Sequence, residues 1–98
     1  MMIRLREQQQ HTIKQLAQEL FNSSKVRIFG SRADMTQKGG DIDIYIQTDK
    51  KEGILKSKLT FLRKFEKLFG EQKVDLLVDN GTKSKEIFEV AKKEGVLL

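Results

Sequence analysis

The chain contains no cysteine and no proline, and it has a single histidine. Without cysteine there is no disulfide, no thiol nucleophile and no thiolate metal site. A reducing cytoplasm is compatible with that composition, and a cytoplasmic location is the expectation. No apolar run approaches the roughly eighteen residues that span a bilayer, and the N-terminus carries no apolar signal segment, so no membrane partner is expected. With no proline, no Gly/Ser tract and no internal repeat, the sequence offers no domain boundary. Its 98 residues are read as one domain, 1–98. His11 sits in a polar stretch, where an exposed imidazole is more often surface than ligand, and it is given no role.

What is present describes an ordinary globule with a well-solvated surface: 38% apolar residues against 34% charged. The formal charge of +5 favours anionic partners, among them nucleoside triphosphates, acidic protein surfaces and nucleic acid. Its lysines are dispersed, however, and no run of aromatics is interleaved with them. Nucleic-acid readers concentrate their basic residues on one face, so nucleic acid is not the expected partner.

The most informative stretch is 26–47, VRIFGSRADMTQKGGDIDIYIQ. It begins with a short apolar run and ends in strict alternation. Alternation marks a half-buried strand, with Ile42, Ile44 and Ile46 toward the core and Asp41 and Asp43 on the other face. Carboxylates at i and i+2 lie roughly 7 Å apart. At an effective dielectric of about 20 they repel by roughly 2 kcal/mol, enough to raise one pKa by more than about a unit. Two acids on one strand face, close to Gly30-Ser31, suit a divalent cation. Gly30 allows a sharp turn, and Ser31 can cap a short helix over residues 32–35 whose free amides favour phosphate. Gly39-Gly40 returns the chain into the strand.

Around this stretch, residues 1–22 read as a helix with Ile13, Leu16, Ala17, Leu20 and Phe21 on one stripe. Its polar beginning, residues 4–11, is expected to be a solvated end projecting from the body. Asn22-Ser23-Ser24 stops the helix and residues 25–29 form the first strand. After a charged loop at 48–53, a second helix covers 54–69. Its core face is read as Leu55, Leu59, Leu62, Phe65 and Phe69, flanked by Phe61 and Leu68, with Gly70 as its stop. Residues 73–79 form the third strand, with Val74, Leu76 and Val78 inward and Asp75, Leu77 and Asp79 outward.

A strand, a helix and a strand imply a right-handed parallel crossover. That places Asp75 near Asp41 and Asp43. Asp79 is a turn residue with Asn80-Gly81. Ser84 is read as the cap of a last helix carrying Ile87, Phe88 and Ala91, with Gly95 as its end. Residues 96–98 are apolar enough to seek the sheet edge or a partner. The expected fold is α/β (α+β), a three-stranded mixed sheet with flanking helices. Residues 26–29 run antiparallel to 41–47, and 73–78 run parallel to 41–47. The helices lie mainly on the Ile42/Ile44/Ile46 face and leave the aspartate face open.

Three acids without histidine or cysteine form a hard, oxygen-only donor set, which selects magnesium or manganese. Gly30-Ser31, nine residues, Asp41-x-Asp43 and a later Asp75 together resemble the polymerase-β-like nucleotidyltransferases. The nearest resemblance is to the minimal nucleotidyltransferase (MNT) group found beside HEPN-domain partners. The stretch Arg32-Ala33-Asp34 keeps part of the family's pattern after Gly-Ser. The resemblance implies the nucleotidyltransferase fold, with ATP as substrate and Mg2+ (or Mn2+) as cofactor. It implies Asp41, Asp43 and Asp75 as catalytic and metal-holding residues, and Gly30, Ser31 and Arg32 on the nucleotide.

It also implies transfer of AMP to a hydroxyl of a HEPN-type toxin, hence an antitoxin that can form a hetero-oligomer with it. The sequence carries almost nothing beyond a catalytic core, so a small acceptor or one presented by another protein is expected. Two other readings stand beside this one. The first is a weak or inactive module that neutralises its partner by binding. The second is a nucleic-acid-binding domain, against which three acids on one sheet face argue because they repel phosphate.

Overall fold

Helical and alternating patterns translate into seven elements in the computed structural model, which describes residues 5–23, 25–30, 41–82 and 85–98. In chain order they are α1 (Glu7–Phe21), β1 (Lys25–Phe29), β2 (Ile42–Gln47), α2 (Ile54–Phe69), β3 (Val74–Asp79), α3 (Glu86–Glu94) and β4 (Val96–Leu97). The sheet order is β3-β2-β1-β4. β1 is antiparallel to β2, and β2 is parallel to β3. The expected three strands and their directions are all found. The short β4 adds a fourth strand, antiparallel to β1, and Leu98 N–H donates to the Val26 carbonyl at 2.9 Å. The apolar C-terminal residues therefore satisfy themselves on the sheet edge.

Alternation places Ile42, Ile44 and Ile46 at full burial, facing Ile13, Leu16, Ala17 and Phe21 of α1 and Phe61 and Phe65 of α2. At about 25 cal/mol per Å2, each such side chain contributes roughly 1.5–3 kcal/mol of transfer free energy. Burial of α1 begins earlier than expected. Leu5 belongs to this core and Gln9 is buried, so the described part of the polar beginning is docked rather than projecting. The physical reason is phase. Gln9 and Ile13 stand at i and i+4 on the buried stripe of α1, and Leu5 packs onto the same core just ahead of the helix. The Gln9 amide oxygen accepts from Arg6 N–H at 3.1 Å, which leaves its methylenes to pack.

At the other end of α1, Asn22 adopts a left-handed conformation, and its N–H donates to the Gln18 carbonyl at 3.0 Å. The Ser23 hydroxyl bonds the Gln47 carbonyl, and the Thr48 hydroxyl bonds the Phe21 carbonyl at 2.6 Å. Together these bonds fasten α1 to the end of β2.

The span of α2 matches expectation, but its rotation does not. Ser57, Phe61 and Phe65 are buried, with Ile54, Leu62 and Phe69 partly so. Leu55, Leu59 and Leu68 are exposed, at 68%, 52% and 65%. The apolar residues of α2 fall within an arc of about 180°, wider than the face that is buried, so periodicity alone could not choose the centre of that face. The two phenylalanines fill the space between α1 and the sheet, and the leucines are turned outward.

The aspartate face also departs from expectation, because it is not left open along its whole length. α3 covers its middle. Tyr45 is fully buried there with Phe29, Phe88 and Ala91, and the Tyr45 and Phe88 ring centroids are 5.7 Å apart. The N-cap of α3 is Lys85, and Gly95 ends the helix as expected. The proposed cap Ser84 lies outside the described residues, as do Ser24, the short helix expected at 32–35 and the Gly39-Gly40 return.

Candidate active site

The charged end of the sheet is built by strand register. Phe29 pairs with Asp43 across β1 and β2, and Asp43 pairs with Asp75 across β2 and β3. Register neighbours share a face, so the two carboxylates project side by side and each feels the other's charge. Gly30 follows β1 directly with φ +70°, a left-handed conformation that favours glycine. It also makes room. A Cβ built on Gly30 would run into the Asp43 carboxylate, so the glycine is what lets that side chain lie across the end of β1.

Asp43 is half-buried and Asp75 is exposed. The Asp43 carboxyl is pushed above the usual carboxylate range. Burial is the main cause, followed by the charge and hydrogen bond of Asp75 and the charge of Asp41. Lys73 pulls weakly the other way. Asp41 precedes β2 on the same face, and its Oδ2 lies 3.6 Å from the Lys73 ammonium. Two of the three acids are thus in contact, and the third is turned to a lysine. Among the described residues, no group of three histidine, aspartate or glutamate side chains is gathered closely enough to hold a metal ion.

Of the remaining sequence candidates, Ser31 and Arg32 lie outside the described residues. Asp79 stands at the far end of β3 as expected of a turn residue, accepting from Gly81 N–H at 3.0 Å. It also receives the Tyr45 hydroxyl at 2.5 Å, which makes it part of the packing under α3. A cleft of about 740 Å3 opens at that far end, beside Asp79 and Lys92, and none of Asp41, Asp43 and Asp75 lines it. Sequence reading passed over Lys73. The signal was there, because Lys73 has the parity of Asp75 and precedes it by one step of alternation on the same face.

The charged end of the sheet therefore combines the left-handed Gly30 turn after β1, an acid pair on neighbouring strands and a third acid one step away. A family model described as Polymerase beta, Nucleotidyltransferase matches residues 11–98. The chain belongs to that family. No curated protein matches the chain. For a nucleotidyltransferase of this family, helices on a mixed sheet, as among the described residues, are the expected architecture, and nucleotidyl transfer is the family's chemistry. No helix among the described residues is long and apolar enough to cross a membrane.

Proposed function

We propose that this nucleotidyltransferase transfers AMP from ATP to a hydroxyl side chain of a partner protein, in the manner of the minimal nucleotidyltransferase group. The partner proposed is a HEPN-type toxin, which makes this chain its antitoxin in the cytoplasm. The observation that carries the catalytic part is the Asp43–Asp75 pair. Two carboxylates brought together by register, one of them with a raised pKa, are unfavourable at neutral pH unless a cation or a shared proton joins them. The donor set is all oxygen and suits magnesium or manganese, with Asp43 and Asp75 as its core; Asp41, which faces Lys73 in the structure, would have to turn from it to join as a third ligand. Magnesium bound there would offset the acid charges and polarise the phosphate oxygens.

The chain's own residues divide the remaining work. Gly30 keeps the end of β1 clear beside Asp43, and with Ser31 and Arg32 it is proposed to hold the β and γ phosphates. Asp75, the exposed member of the pair, is proposed to draw the proton from the attacking hydroxyl. The hydroxyl oxygen bonds to the α-phosphorus as the bond to the bridging oxygen breaks, and pyrophosphate leaves. Positioning an acceptor presented by another protein supplies the in-line geometry.

The test is incubation of the purified chain, its co-encoded partner, magnesium and α-labelled ATP. Label is expected on a hydroxyl of the partner, and Asp75→Ala is expected to reduce the rate by about two to four orders of magnitude, the range for a lost proton-transfer group. Undiminished labelling by Asp75→Ala would remove Asp75 from the mechanism. Tight partner binding without label would favour neutralisation by masking.

A further inference from the structure

Two cross-strand pairs stand one behind the other at the acidic end of the sheet. Asp43 faces Asp75 in the register of β2 and β3. One step toward the strand starts, Ile42 N–H donates to the Lys73 carbonyl at 3.0 Å, which brings Lys73 level with Asp41. The Lys73 ammonium then reaches Asp41 Oδ2 at 3.6 Å. The order is therefore a like-charged pair inside and an opposite-charged pair at the mouth. Among the described residues, Lys73 is also the cation whose charge offsets the repulsion acting on Asp43.

We propose that Lys73 is a resident counterion that exchanges with the divalent cation, holding Asp41 when the metal is absent and turning to the substrate phosphates when it is present. This rests on the metal-site reading above. The side chains of Lys73 and Asp41 are 69% and 47% exposed, so their pairing is weak and the long lysine stem can change rotamer at small cost. A divalent cation carries twice the charge and, with Asp43 and Asp75 beside it, outcompetes one ammonium for Asp41. The displaced ammonium remains anchored at the start of β3, on the same face as the acids. There it adds positive charge where an incoming triphosphate brings negative charge. Lys73 thus opposes the binding of bare metal and assists the binding of metal with nucleotide. A purely structural lysine would not produce opposite signs.

The experiment measures Mn2+ binding by calorimetry, first with Mn2+ alone and then Mn2+-ATP without partner. The proteins are wild type, Lys73→Met, Lys73→Arg and Lys56→Met. Lys56 lies in the first turn of α2 and removes the same net charge at a distance from the acids. Lys73→Met is expected to bind Mn2+ about fivefold more tightly than wild type, and Mn2+-ATP about fivefold more weakly, the scale of exposed charge interactions with a doubly charged ion. Lys73→Arg and Lys56→Met are expected to match wild type in both titrations. Equal Mn2+ affinity in Lys73→Met and wild type, or parallel changes in both titrations, would overturn the exchange alone. Failure of wild type and Lys73→Met alike to bind Mn2+ would overturn the metal site, and the exchange with it.

Discussion

Replacing Asp43 by Asn is the perturbation that most directly tests the acidic end of the sheet. The substitution keeps the shape of the side chain and removes its charge. Neighbouring strands lie about 5 Å apart, and at an effective dielectric of about 20 two unit charges at that separation repel by about 3 kcal/mol. Asp43 is only half-buried, so solvent screening reduces the net effect to about 1 kcal/mol. The sign follows from proton linkage. The folded protein holds the Asp43 proton more tightly than the unfolded chain does, because burial and Asp75 raise its pKa. Stability is therefore lost as pH rises from the ordinary carboxylate pKa of about 4 through the raised folded value, and the full cost is present at neutral pH.

Asp43→Asn escapes that cost. In chelator at pH 7 its Tm is expected to exceed that of wild type by about 4–8 °C, the response of a domain this size to about 1 kcal/mol. At pH 3 the difference is expected to vanish. With magnesium and ATP at about one hundred times Kd, wild type is expected to gain about 2.7 kcal/mol of stability and the variant to gain almost none. Thermal scans over this matrix of pH and ligand decide the matter. Equal Tm values in chelator at pH 7 would refute the repulsion, and equal shifts with magnesium-ATP would refute coordination by Asp43.

Two further outcomes follow from the same structure. Gly30→Ala forces a Cβ onto a φ of +70° and into the Asp43 carboxylate, so it is expected to lower stability by about 1–3 kcal/mol and to weaken Mn2+ binding, measured by thermal unfolding and calorimetry. Tyr45 is the chain's one tyrosine and lies fully buried against Asp79, so its phenol is pushed well above the ordinary value, first by desolvation and then by that hydrogen bond. The folded state thus keeps the phenol proton, and stability falls as pH rises above about 10. Phenolate absorbance is expected to rise only together with loss of far-ultraviolet ellipticity, and ionisation in a protein that remains folded would contradict the packing under α3.

Much of the candidate site is legible in the sequence because alternation along a strand is a local property. Each residue of Asp41-Ile42-Asp43-Ile44 takes its side from the pleat, and the Ile residues choose the buried side by transfer free energy. The parallel placement of β3 followed from the handedness of a crossover helix, which brought Asp75 level with Asp43. The bounds of α2 were equally local, set by glycines at each end, Gly53 and Gly70. Its rotation was not, because a helix whose apolar arc is wider than the face it buries is oriented by what it meets. Phe61 and Phe65 met α1 and the sheet, and Leu55 and Leu59 did not.

The same dependence on partners explains the other differences. Gln9 is buried because its stripe meets the core and its amide can turn back to Arg6. Tyr45 is buried because α3 folds back over half of the aspartate face, a long-range return that no local period announces. Whether Asp41 faces its fellow acids or a lysine is likewise a tertiary matter. Charges adjacent across strands interact at about 5 Å, whichever distant segment delivers them. The pleat placed the three acids on one face, and the contact between β2 and β3 decided that Asp43 would meet Asp75 while Asp41 met Lys73.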